Sequence, residues 1–70
     1  MIKEEDLIIT QHAQDKMILE GISVKQVAEA IARGSIFKQT DGFLAVYTYF
    51  SVAYKRIGDK FKIKTVFTKK

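Results

Sequence analysis

The spacing of hydrophobic positions changes halfway along the chain. Over residues 11–20, Ala13 and Met17 stand four apart with Leu19 nearby, among residues that favour helix; Val24, Val27, Ala28 and Ile31 then form a second stripe. These spacings predict two amphipathic helices. Thr10 is placed to cap the first, and Gly21 to end it in the left-handed conformation. The second helix begins more sharply, with Ser23 as cap, Gln26 three residues on to complete a capping box, and Ile22 set against Val27 as a hydrophobic staple. Arg33 suits the dipole at the last turn, and Gly34 supplies the stop. Leu7-Ile8-Ile9 is apolar but too short to assign alone.

After Gly34 the residues become β-branched and aromatic. Ser35–Gln39, a long run from Phe43 to Ile57, and Phe61–Thr68 read as strands, separated by the hairpin signals Asp41-Gly42 and Gly58-Asp59. The long run exceeds a normal strand, so a bend or a second turn is expected near Thr48–Ser51, although no Gly or Pro marks it. The predicted fold is a single α+β domain over residues 1–70. Two N-terminal helices pack on one face of a three- to four-stranded antiparallel sheet.

The last hairpin can be read residue by residue. With Gly58 and Asp59 as the turn, Ile57 faces Lys60, Lys55 faces Lys62, Tyr54 faces Ile63 and, without interruption, Phe50 faces Phe67. One face then carries Phe50, Val52, Tyr54, Phe61, Ile63, Thr65 and Phe67 as a core. The other carries Lys55, Lys60, Lys62 and Lys64. Continued in phase, Phe43, Tyr47 and Tyr49 join the lysines, and rings among cations suit single-stranded nucleic acid, whose bases stack while its phosphates meet ammonium groups.

Charge sharpens this picture. The formal net charge is +4, but residues 1–34 carry four basic against six acidic residues, and residues 35–70 carry eight against two. A one-sided excess of cations is the footprint of a polyanion partner. The alternative for the same residues is a solvated, lysine-rich strand face. No stretch reaches the roughly 18 apolar residues of a membrane span, and Met1–Asp6 is acidic, unlike a signal peptide. A cytoplasmic protein is the simplest expectation, with no membrane role.

Length adds a constraint. A 70-residue chain has a core worth about 3–5 kcal/mol, and such domains usually add a disulfide, a metal or a partner. There is no cysteine and a single histidine, so neither a disulfide nor a structural zinc site is expected, and no cofactor is implied. Tight packing or self-association is the remaining aid, with Phe43, Tyr47 and Tyr49 as candidate contacts in a homodimer.

His12 is the only imidazole, with Lys16 one turn on along the same face. A histidine titrates near neutrality, so it can serve as general acid or base in metal-free phosphodiester cleavage, with a tyrosine and lysines supplying the remaining roles. A structural surface histidine is the bland alternative.

The segment Thr10-Gln-His12-Ala13-Gln-Asp-Lys16-Met17-Ile-Leu-Glu20-Gly21-Ile22-Ser23, then Val27, Ala30-Ile31 and Gly34, and later Ile63-Lys-Thr65-Val66-Phe67, resembles the domain-of-unknown-function 4258 family. Its members read His-Ala-x-x-Arg-Met-x-x-Arg-Gly-Ile-Ser, then a second helix and a sheet ending in Ile-x-Thr-Val-aromatic. The similarity runs from Ile9 to Phe67. That family looks like a distant relative of RelE- and BrnT-type toxins, within the barnase–EndoU–colicin–RelE group of metal-independent ribonucleases. The resemblance implies a RelE-like fold, an RNA substrate, an antitoxin protein as partner, and His12, Lys16 and Thr65 as the catalytic positions. Two departures stand out. Lys16 replaces an arginine, keeping charge without the bidentate fork, and Glu20 replaces a second arginine, reversing its charge. A non-catalytic module binding nucleic acid or protein through the same lysines is the alternative function.

Overall fold

The computed structural model describes residues 2–68; Met1 and the terminal Lys69 and Lys70 of the basic half lie outside the described residues. A 3₁₀ turn at Glu4–Asp6 leads into β1 (Leu7–Ile9), α1 (Gln11–Glu20) and α2 (Val24–Arg33). Strands β2 (Ser35–Gln39), β3 (Gly42–Tyr47), β4 (Phe50–Ile57) and β5 (Lys60–Thr68) follow. The fold is α+β, as its change of period predicts. The strands form one sheet in the order β1-β5-β4-β3-β2, so the count is five rather than three or four, and β1 runs parallel to β5. Leu7-Ile8-Ile9 earns its strand only by pairing with Phe61-Lys62-Ile63, a partner more than fifty residues away that local pattern does not reveal.

The helix ends follow their residues. The Thr10 hydroxyl accepts from Ala13 N–H at 3.2 Å, and Gly21 ends α1 at φ +70°. Ser23 and Gln26 form the reciprocal box, each side chain accepting from the other's backbone N–H. Ala13, Met17, Ile22, Val27, Ala30 and Ile31 are buried with Ala45, Phe50, Val52, Tyr54, Ile63 and Val66 in one core between the helices and one sheet face. Leu19 is not part of it; with Ile18 it is exposed on α1.

The turn expected near Thr48–Ser51 is present, and the one expected at Asp41-Gly42 lies one residue earlier. The β3–β4 connection is the tight turn Thr48-Tyr49, with Thr48 at φ +47°. In the β2–β3 hairpin Gln39 pairs with Gly42, so Thr40-Asp41 makes the turn and Gly42 opens β3. Gly42 is required for another reason: its φ is +122° and a Cβ there would run into the Tyr54 carbonyl oxygen.

The main correction concerns β5. From Ile57–Lys60 to Tyr54–Ile63 the pairing is the expected one, but a β-bulge then inserts Lys64, and the register resumes with Ala53–Thr65, Val52–Val66 and Ser51–Phe67. A bulge inserts one extra residue, so it reverses the alternation beyond it. Val66 is therefore fully buried, while Thr65 and Phe67, expected in the core, turn to the opposite face, and Phe67 is 40% exposed.

Candidate nucleic-acid interface

Among the described residues no element covers the face of the sheet away from the helices, and the register gives its layout. Lys55 stands directly opposite Lys62, which pairs on its other side with Ile8 of β1. Lys64, the bulged residue, stands beside them. Its Nζ lies 3.5 Å from Asp41 Oδ2, while Lys55 Nζ lies 3.3 Å from Asp41 Oδ1. Asp41 is thus an exposed carboxylate held between two ammonium groups. The hydrogen bond from Lys55 and the charges of Lys55 and Lys64 hold its carboxyl below the usual carboxylate range. Lys62 has no carboxylate within ion-pair distance among the described residues. Lys60 leans to the β1 edge, 3.8 Å from Asp6 and donating to the Glu5 carbonyl at 3.4 Å.

Beyond the lysines the same face becomes uncharged. Two rows cross it: Phe37–Leu44–Ala53–Thr65, and Ser35–Val46–Ser51–Phe67. An antiparallel sheet with one solvated face would ordinarily alternate to polar residues there. This face is instead cationic at one end and uncharged at the other, where Phe37, Leu44, Val46 and Phe67 stand among the hydroxyls of Ser35, Ser51 and Thr65. The alternation Lys60-x-Lys62-x-Lys64 announces the cationic end, and the adjacent apolar pair Val66-Phe67, which breaks alternation, is the one local sign of the parity change.

The aromatic residues expected among the lysines lie elsewhere. Phe43 registers with Tyr54 and Tyr47 with Phe50, so both face the helices; Phe43 stacks on Tyr54 at 5.6 Å and Tyr47 meets Phe50 edge-on at 6.0 Å. The phase assumed through residues 43–57 fails because the Thr48-Tyr49 turn falls inside the run. Tyr49 sits in that turn, against Phe50, and its hydroxyl accepts from Gln26 Nε2 at 3.4 Å. The rings on the uncovered face are Phe37 and Phe67.

His12 is exposed and Lys16 half-buried on α1, whose buried flank, Ala13 and Met17, feeds the core on the helix side of the sheet. Thr65 stands on the uncovered face beside Ala53, its hydroxyl donating to the Val66 carbonyl at 3.5 Å. Among the described residues no hydrogen bond or ion pair joins His12, Lys16 and Thr65, and no pocket gathers them. Glu20, the reversed family charge, accepts from the Thr68 hydroxyl at 3.2 Å, tying the end of α1 to the end of β5.

Fold and surface together define a small helix-on-sheet domain with one sheet face left open. The family model described as Domain of unknown function (DUF4258) matches residues 9–68, and the chain belongs to that family. No curated protein and no solved structure matches the chain. Among the described residues, no helix is long and apolar enough to cross a membrane.

Proposed function

We propose that this domain binds single-stranded RNA at the lysine end of its open sheet face. The observation that carries the reading is Lys55 directly opposite Lys62 with Lys64 beside them. Like charges across a strand pair cost stability, and Asp41 offsets only Lys55 and Lys64. A polyphosphate laid across the face would remove the repulsion and release counterions. The test is fluorescence anisotropy of a short labelled RNA at several salt concentrations. Lys62→Ala should flatten the log–log salt slope by about 0.7. An unchanged slope for both Lys62→Ala and Lys64→Ala would reduce the face to a solvated surface.

Holding RNA is the activity this geometry supports directly. Cutting it, as in a RelE-type toxin, requires in addition that His12 meet the bound phosphate, because a general acid or base acts within hydrogen-bond reach. Incubating the protein with RNA and a chelator separates the two. Intact RNA after incubation, with His12→Ala indistinguishable from wild type, assigns a binding module; cleavage lost in His12→Ala assigns a metal-independent ribonuclease.

A further inference from the structure

The two edges of the sheet are built differently. Edge β1 is only three residues long, and Lys60 reaches across to the Glu5 carbonyl and Asp6 beside it. Short edges and lysines are standard protection against strand-to-strand association. Edge β2, Ser35-Ile-Phe-Lys-Gln39, has five residues, every one exposed, with Ile36 at 44% on the helix side and Phe37 at 54% on the open side. It contains no proline, its pairing with β3 is unbroken, and Lys38 is its single charge. An exposed, regular, apolar edge is a template for another strand.

We infer that β2 pairs antiparallel with β2 of a second copy of this chain, about a two-fold axis through Phe37. The occupant follows from the strand's own sequence. The register that pairs all five residues sets Phe37 against Phe37, Ile36 against Lys38 and Ser35 against Gln39 of the partner. The same patch then serves both copies, as a two-fold interface requires. No like charges face each other, the stem of Lys38 covers Ile36, and the two Phe37 rings meet on the open face. A strand of opposite charge gains nothing comparable, since β2 offers it one lysine. The product is a continuous ten-stranded sheet whose two open faces lie on the same side. Its lysine ends are placed diagonally across a central apolar strip formed by Phe37 and Leu44 from each copy. Because a five-residue strand spans only about 17 Å, the contact falls at the small end of interface sizes and the dimer is concentration-dependent.

The chain lacks cysteine, so introduced thiols report on this geometry alone. Directly opposed residues of an antiparallel pair have Cα atoms about 4.5–5.5 Å apart, within disulfide reach. Position 39 is about 13 Å from its own mate in this register, beyond reach. Under mild oxidation in RNA-free buffer, Phe37→Cys should give a disulfide-linked dimer and Gln39→Cys should not. By sedimentation equilibrium between about 10 µM and about 1 mM, the wild-type mass should rise toward the dimer, while Phe37→Lys, with an unchanged circular dichroism spectrum, should stay monomeric. A wild-type monomer throughout that range overturns the inference, and so does cross-linking of Gln39→Cys as efficient as that of Phe37→Cys. Neither readout depends on RNA, so failure here leaves the RNA proposal to its own test.

Discussion

The hydroxyl of Thr10 donates to the carbonyl of Ile63 at 2.8 Å while accepting from Ala13 N–H, so one side chain both caps α1 and fastens it to β5. The bond falls where β1 stops pairing, at Ile9–Ile63, and where the bulge begins at Lys64. Replacing Thr10 by Val keeps the shape and removes both bonds. The expected loss is about 2 kcal/mol, one part for the cap and one for the hydrogen bond. Thr10→Ser, which retains the hydroxyl, should unfold close to wild type. Urea titrations of the three proteins check this.

The bulge makes a second prediction that an uninterrupted hairpin reverses. With Lys64 inserted, Val66 is fully buried and Phe67 stands on the open face. Val66→Ala should therefore cost about 1.5–3 kcal/mol, the worth of a buried aliphatic side chain. Phe67→Ala should cost about 1 kcal/mol or less, despite removing the larger group, because its site is open. Equal pairing throughout the hairpin would give the opposite order. Denaturant midpoints for the two variants decide between them.

What could be read from the chain alone divides along the same line. Both helices, their caps and the Gly58-Asp59 turn are local, and the residues that encode them, such as Ser23 with Gln26, sit within one turn of each other. The strand role of Leu7-Ile8-Ile9 and the inversion after Lys64 are not local. The first depends on the long-range pairing at Ile9–Ile63, and the second lies beside the equally long-range Thr10–Ile63 hydrogen bond, with no glycine or proline to mark it in the sequence. The lysine face was legible because Lys55, Lys60 and Lys62 precede the bulge, in the part of the hairpin that turn geometry governs. Tyr47 does not share the phase of β4 and Tyr49 lies in neither strand, because a two-residue turn with Thr48 at positive φ, marked by no Gly or Pro, reverses the chain between Tyr47 and Phe50.

Gly42 offers a test of close approach. Its backbone has φ +122°, and a Cβ would contact the Tyr54 carbonyl. Gly42→Ala should destabilise the domain by about 1–3 kcal/mol, through strain at positive φ and displacement of β4. Gly21→Ala meets no neighbouring atom at its φ of +70° and should cost about 1 kcal/mol, the left-handed penalty alone. Thermal melts of the two variants, side by side, measure the added cost of crowding.

Asp41 acts on the lysine end as an anion already in place. Lys55 first and Lys64 second depress its carboxyl below its ordinary value of 3.8. For a depressed acid, any stabilisation is complete above the unfolded value and is lost as pH falls through the lower, folded one. At neutral pH the carboxylate is therefore ionised and competes with any phosphate for the same two ammonium groups. Asp41→Asn removes that competitor without changing shape. Its effect on stability should be small, as for exposed ion pairs generally. Its effect on RNA binding should be an increase of several-fold, with a salt slope steeper by up to about 1.4 if both freed lysines engage phosphate. Anisotropy titrations at two salt concentrations measure both, and equal slopes for wild type and Asp41→Asn would place the phosphates away from Lys55 and Lys64.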